Sequence, residues 1–277
     1  MFLTIVLIPI LTGLARKVKA IDIPDERKIH QHPMPRAGGA AMALGALIPI
    51  LLWVPQSPFS RAILIGAGIV TVFGITDDIR NLGYKAKFAG QLVAALVVVF
   101  YGGVEIRDLG MLVRDYALLP HWVAIPLTVL VIVGVTNAIN LSDGLDGLAG
   151  GISLLTFACI GYLAYLNGQI LVTLLSIASV GAVFGFLRYN TYPASVFMGD
   201  AGSQLIGFLA VTLSLKLTQG NTPLSPLLPL ILLGFPILDT MTVMLERLAE
   251  KKSPFAPDKN HLHHKLIRLG FFHTGRC

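Results

Sequence analysis

The sequence predicts an all-α polytopic membrane protein, and three observations predict it. Hydrophobic residues make up 55% of the 277-residue chain and charged residues only 13%, against roughly 25% charged in an ordinary soluble domain. The apolar residues collect into runs close to the ~20 that a helix needs to cross a hydrocarbon core. The basic residues between those runs fall on alternate loops, as the positive-inside rule requires of a multi-pass chain. The net charge of +6 is then explained by loops held on the cytoplasmic side, with no need of nucleic acid.

The runs give about nine spans. Residues 1–15, MFLTIVLIPILTGLA, have no basic residue ahead of the apolar stretch, and the charges follow it. They read as a first span with its N-terminus outside rather than as a cleaved signal peptide. Loop 16–36 comes next, inside. Spans 37–55 and 61–76 then lead to an acidic junction, Asp77 and Asp78. Span 86–102 runs into VEIRDLGMLVRDYALL, whose partial alternation suggests a small hairpin or interfacial segment. Spans 120–139, 147–166, 169–187, 203–218 and 224–245 complete the set. The first and third runs are short for a crossing, so they are expected to tilt or to extend into their neighbours. Cys159 and Cys277 offer no disulfide framework. With no long-period repeat and no low-complexity tract, the chain reads as one integral-membrane domain over residues 1–277.

With the N-terminus outside, the inward loops are 16–36, 77–85, 140–146, 188–202 and the tail after 245. These regions and their flanks hold 17 of the 21 Lys and Arg residues, and the other side holds Arg61, Arg107, Arg114 and Lys216. That split sets the orientation. The groups capable of chemistry segregate in the same way. Asp77, Asp78, Asp143, Asp146, Asp200 and every histidine except His121 fall on the inner side.

Each candidate has a plain structural explanation and a functional one. Asp77 and Asp78 sit at the C-terminal end of span three, where the helix dipole disfavours carboxylates by about 0.3–1 kcal/mol each. A solvated loop start would tolerate them, and a cation or a substrate proton would favour them. Asn137, Asn140, Asp143 and Asp146 follow span five in NAINLSDGLDGLAGG. Asp-Gly pairs form turns and Asp caps helices, which accounts for one such pair better than for two. Asp200, in SVFMGDAGSQLIG, stands near a helix N-terminus, a favourable place for a carboxylate and for phosphate, and Asn190 offers an amide nearby. His261, His263 and His264 fit no zinc spacing, but imidazoles also bind phosphate oxygens or carry protons. Asp239 lies about 15 residues into span nine, some 22 Å along a helix, in the inner third of a bilayer, where a carboxylate faces protein or water. Carboxylates and amides beside cations at one membrane face suit a divalent cation that holds phosphates.

At these residues the chain resembles the polyprenyl-phosphate N-acetylhexosamine-1-phosphate transferases. The resemblance rests on DIPDERKIHQHPMPRAGG, TDDIRNLGYKAK, NAINLSDGLDGLAGG, NTYPASVFMGDAGS and SPFAPDKNHLHH, which appear in the family's order along nearly the whole chain. HPMPRAGG and SPFAPDKNHLHH look like the WecA/TagO branch, and the patterns of the MraY branch are missing. The resemblance implies transfer of N-acetylhexosamine-1-phosphate, with GlcNAc-1-phosphate favoured, from the UDP-sugar to undecaprenyl phosphate, releasing UMP at the start of a cell-envelope polysaccharide pathway. It implies Mg²⁺, with Mn²⁺ as a substitute, a homodimer, and a place in a bacterial cytoplasmic membrane with the active site on the cytoplasmic face. It also implies roles. Asp200 and Asn140 hold the metal, Asp77 takes a proton from or orients the lipid phosphate, and Asp78 supports it. Lys87 contacts phosphate, and Asp143, Asp146 and Asn190 lie near the nucleotide. His261, His263, His264 and Arg247 grip the donor.

Two features depart from the family pattern. Family members continue into at least one further membrane helix where this chain stops at Cys277, so a C-terminal helix is expected to be lacking. The loop before the histidines is poor in arginine, and Glu246 and Glu250 dilute its charge. The alternatives are the same reaction with another UDP-HexNAc or UDP-MurNAc-pentapeptide as donor, a membrane transporter, and an inactive scaffold. Transporters bind near the bilayer midplane, whereas these acids gather at one face.

Overall fold

A computed structural model describes residues 1–23, 32–110, 118–220 and 222–249. These residues are helical almost throughout, in ten helices: α1 (Phe2–Lys17), α2 (Gly38–Trp53), α3 (Pro58–Arg80), α4 (Tyr84–Phe100), α5 (His121–Ser142), α6 (Leu148–Leu166), α7 (Ile170–Asn190), α8 (Gly199–Thr218), α9 (Leu228–Leu232) and α10 (Gly234–Ala249). Five of them, α3, α5, α6, α7 and α8, are long and apolar enough to cross a membrane. Local chemistry sets several ends. In α3 the hydroxyl of Ser57 accepts the Ser60 N–H at 3.1 Å, and the Ser60 hydroxyl accepts the Ser57 N–H at 2.7 Å, a reciprocal cap with Pro58 in the first turn. Asn81, in left-handed backbone at φ 49°, closes the other end.

The ninth apolar run is two helices, not one. Pro236 has no N–H with which to continue the ladder of α9, and its ring obstructs the preceding turn. The chain therefore breaks at Leu233 and restarts at Gly234. The all-helical expectation also missed a two-stranded antiparallel ladder, β1 (Ile21–Asp22) with β2 (Met34–Pro35), in which Ile21 faces Pro35. The hairpin expected after α4 falls partly on residues 111–117, outside the described ones. Its described part forms no strand, and the N–H groups of Arg107 and Asp108 bond instead to the Gln219 side-chain oxygen, at 3.0 and 3.1 Å.

α8 is the axis of the bundle. It packs against α2, α3, α5, α6 and α7, and nearly its whole length is enclosed. Glycine allows the closest approach. A Cβ on Gly74 of α3 would lie 2.4 Å from the Ala201 Cα, so only glycine lets α3 meet the first turn of α8. This contact sets the end of α3, with its two aspartates, against the start of α8.

Candidate active site

The ends of α3, α5 and α7 meet the starts of α4, α6 and α8, and the acids collect there. Asp77 and Asp78 are adjacent but point to different partners. Asp78, 5% exposed, accepts the backbone N–H of Asp200 at 2.9 Å and of Ala201 at 3.1 Å, one on each carboxylate oxygen. α8 has no capping side chain of its own, so α3 supplies the cap. A carboxylate at this end meets the positive pole of the helix and two otherwise orphaned donors. Gly199 is part of the device. Its φ is +68°, and a Cβ there would stand 2.6 Å from Asp78 Oδ2. Arg36, just after β2, lies 3.6 Å from Asp78 and is paired to Asp22 of β1, so the strand ladder buttresses the same carboxylate.

Asp77, 3% exposed, contacts a cation instead. Lys87 Nζ of α4 lies 2.5 Å from Asp77 Oδ2 and 3.1 Å from Asp200 Oδ2, bridging the two acids. The other Asp77 oxygen, Oδ1, is buried without a hydrogen-bond partner. Asn140, in the last turn of α5, donates to Asp200 Oδ1 at 2.7 Å and to the Ser203 hydroxyl at 2.6 Å. Asp200 is thus held from both sides, by an ammonium and by an amide.

Asp143 follows the end of α5 and is half-buried. Loss of solvation pushes its carboxyl up to about 7, and the nearby carboxylates of Asp200, Asp78 and Asp146 push in the same direction. Asp146 and Asn190 bond to backbone. Asp146 accepts the Ala194 N–H at 3.0 Å. Asn190, almost fully buried, accepts the Gly147 N–H and donates to the Val196 carbonyl, each at 3.0 Å. These bonds tie the α5–α6 loop to the α7–α8 loop.

The donor set suits a hard divalent cation. It offers carboxylate and amide oxygens, with an orphaned buried carboxylate oxygen on Asp77. Among the described residues no three His, Cys, Asp or Glu side chains converge as a cage for a metal. A hard ion such as Mg²⁺ is commonly held by one or two carboxylates and completed by substrate phosphates.

The structure brings together Asp77, Asp78, Lys87, Asn140, Asp143 and Asp200, with Asp146 and Asn190 in the bordering loops. Arg247 is buried near the end of α10, and both it and Asp239, in the same helix, are engaged. His261, His263 and His264 lie outside the described residues. Sequence reasoning missed Arg36, Ser203, Gln91 and Gln204. Arg36 carried a signal, as a lone arginine beside Ala-Gly-Gly at the start of a span, but Ser203 and the two glutamines lie inside apolar runs without any.

Comparison with known proteins places these side chains in context. A model of the family described as glycosyl transferase family 4 matches residues 60–218, a range that contains Asp77, Asp78, Lys87, Asn140, Asp143, Asp146, Asn190 and Asp200. The chain is 41% identical over 275 residues to a probable undecaprenyl-phosphate N-acetylglucosaminyl 1-phosphate transferase of Bacillus subtilis (strain 168), covering 98% of this chain and 76% of the relative. It is 33% identical over 263 residues to an undecaprenyl-phosphate alpha-N-acetylglucosaminyl 1-phosphate transferase of Yersinia pestis, covering 93% and 72%. A decaprenyl-phosphate N-acetylglucosaminephosphotransferase of Mycobacterium leprae (strain TN) is 34% identical, with 94% and 73% covered.

Proposed function

The chain belongs to glycosyl transferase family 4, and from that premise we propose that it transfers GlcNAc-1-phosphate from UDP-GlcNAc to undecaprenyl phosphate. An oxygen of the lipid phosphate attacks the sugar-bearing phosphorus of the donor. The bond from that phosphorus to the bridging oxygen breaks, UMP leaves, and undecaprenyl-diphospho-GlcNAc remains. The observation that carries this reading is the Asp77–Lys87–Asp200–Asn140 cluster, drawn from four helices onto one end of the bundle.

Phosphoryl transfer asks a protein mainly for positioning and charge compensation. Asp200 and Asn140 would hold the divalent cation, which we take as Mg²⁺. Bound there, it would neutralise charge on the donor diphosphate as the second phosphate approaches. Lys87 is placed to give up an acid partner for a phosphate oxygen. Asp77, with one free buried oxygen, orients the lipid phosphate and accepts its residual proton. Asp78 contacts no substrate and sets the α8 N-terminus. Asp143 adds negative charge near the cation once it ionises. Asp146 and Asn190 shape the nucleotide side by fixing two loops. Arg247, His261, His263 and His264 are assigned to the donor diphosphate and sugar. The 17-to-4 division of basic residues supports nine spans and a cytoplasmic site in a bacterial inner membrane.

The test is UMP release by the purified chain in detergent, over a panel of UDP-GlcNAc, other UDP-HexNAc and UDP-MurNAc-pentapeptide, with Mg²⁺ or EDTA. UMP should appear with UDP-GlcNAc only when both undecaprenyl phosphate and Mg²⁺ are present. No UMP from any donor would sink the proposal, and uptake into proteoliposomes without UMP would replace it with transport.

A further inference from the structure

Three helices carry the cation site: α5 with Asn140 and α8 with Asp200, assigned to the cation, and α4 with Lys87, which pairs with Asp200. One turn deeper, each of the same helices carries a primary amide. Gln91 is four residues beyond Lys87, Gln204 four beyond Asp200, and Asn137 three before Asn140. At 1.5 Å per residue the amide layer lies roughly 4.5–6 Å behind Lys87, Asn140 and Asp200.

The three amides bond to one another. Gln91 Nε2 donates to Gln204 Oε1 at 3.3 Å and to Asn137 Oδ1 at 3.4 Å, and Asn137 Nδ2 donates back to Gln91 Oε1 at 2.5 Å. The second Asn137 hydrogen goes to the Val133 carbonyl at 2.8 Å. Gln91 and Gln204 are 2% and 1% exposed. Both hydrogens of the Gln91 amide and its oxygen are therefore used, and its two partners stand on two different helices. A buried amide without partners is costly in a membrane-like interior, so the three helices have a strong reason to keep this register.

We propose that Gln91, Gln204 and Asn137 are positioning residues for the cation site, forming a clamp that sets the spacing of Lys87, Asn140 and Asp200 one turn above it. This rests on the cation reading given above. Mg²⁺ demands near-ideal octahedral geometry, and misplacing reacting groups by about an ångström can cost about a hundredfold in rate. Partners behind metal ligands typically account for a 10–100-fold change in metal affinity. The Gln91 amide joins all three helices through two side-chain partners, so its loss removes the polar tie that sets their register at this level.

The test reads metal binding without turnover. Mn²⁺ binding to the purified full chain in detergent, with no substrate added, is titrated by electron paramagnetic resonance for wild type, Gln91→Leu, Gln204→Leu, the double variant and Asp200→Asn. Thr128→Val serves as a control. It removes a fully buried hydroxyl that accepts the Ile106 N–H at 2.8 Å and donates to the Ala124 carbonyl, in α5 near the other end of the bundle. Thermal unfolding is recorded for every variant. The clamp predicts Mn²⁺ affinity about 10–100-fold weaker in each glutamine variant, a double variant no weaker than the worse single, and Thr128→Val within about twofold of wild type even where its stability falls as far. The milder Gln91→Asn, which keeps an amide one methylene short, should give an intermediate loss, and it decides the matter if Gln91→Leu does not fold. Wild-type affinity in Gln91→Asn and Gln204→Leu, with Asp200→Asn strongly impaired, would overturn the clamp and leave the cation assignment standing. Unchanged affinity in Asp200→Asn would overturn both. Losses in the glutamine variants that merely track unfolding temperature, with Thr128→Val on the same line, would reduce the amides to packing and also overturn the clamp.

Discussion

Two neighbouring carboxylates should fail in opposite ways. Asp78 accepts the N–H groups of Asp200 and Ala201 at 2.9 and 3.1 Å, so Asp78→Ala leaves both donors without a partner at the start of a buried helix. Each unmet buried donor costs about 1–3 kcal/mol, a loss that, measured as a helix cap, is about 0.5–2 kcal/mol. Two effects offset part of this. Water can enter beside the part-exposed side chains of Arg36 and Lys87, and one of several crowded negative charges is removed. A net destabilisation of about 1–3 kcal/mol follows. Asp77→Ala removes a carboxylate that accepts no hydrogen bond from backbone and has one buried, partnerless oxygen. Lys87 keeps Asp200 at 3.1 Å. Its stability should equal or exceed that of wild type, while UMP release falls by about 10²–10⁴-fold, the range of a lost proton-transfer group. Thermal unfolding in detergent with EDTA, beside UMP release on the same preparations, separates the two variants. An Asp78→Ala protein as stable as wild type, or an Asp77→Ala protein destabilised as much as Asp78→Ala, would refute the division of labour.

Other outcomes follow from the same geometry. Gly199→Ala puts a methyl against Asp78 in left-handed backbone at φ +68°, and should lower stability by about 1–3 kcal/mol, read in the same thermal ramp. Lys87→Gln leaves Asp77 and Asp200 without their shared cation; UMP release should fall at least about 100-fold and Lys87→Arg should restore part of it. Asn190→Ala frees the Gly147 N–H and the Val196 carbonyl, so the KM for the UDP-sugar should rise more than kcat falls. The Asp143 carboxyl is raised to about 7 from an ordinary carboxylate value, so the folded state keeps a proton that the unfolded chain releases near pH 4. Its ionisation therefore costs stability increasingly from about pH 4 to pH 7 and by a constant amount above. In EDTA, the stability advantage of Asp143→Asn over wild type should grow across that window and then level off. An advantage independent of pH would show that Asp143 is not held protonated.

The helices were legible because apolar runs of membrane length leave a backbone few ways to satisfy its hydrogen bonds other than within itself. The identity of most candidate residues was legible for a related reason. An aspartate in a chain this apolar is costly, so each one carries a signal. The break at Pro236 was present in the letters but was read as part of one continuous run. The ladder between Ile21–Asp22 and Met34–Pro35 is two residues long on each side, too short for a period of two to show.

What each acid does was not legible. Read along the chain, Asp77 and Asp78 are interchangeable, and Asp200 looks like the cap of its own helix. In the fold Asp78 is that cap, reaching over from α3, and Asp200 is free to hold Lys87 and Asn140. Likewise Gln91 and Gln204 look like polar blemishes in apolar spans until α4, α5 and α8 stand side by side.

The sequence alone determined that the chain is a bundle of apolar helices with its acids at helix ends, because hydrophobic burial and backbone hydrogen bonding act on neighbouring residues and leave periodic traces. Only the tertiary structure decided which carboxylate caps, which pairs with a cation and which amides lock the helices together. Those choices are made by contacts between different helices, some between residues more than a hundred positions apart, where a difference of an ångström selects the partner.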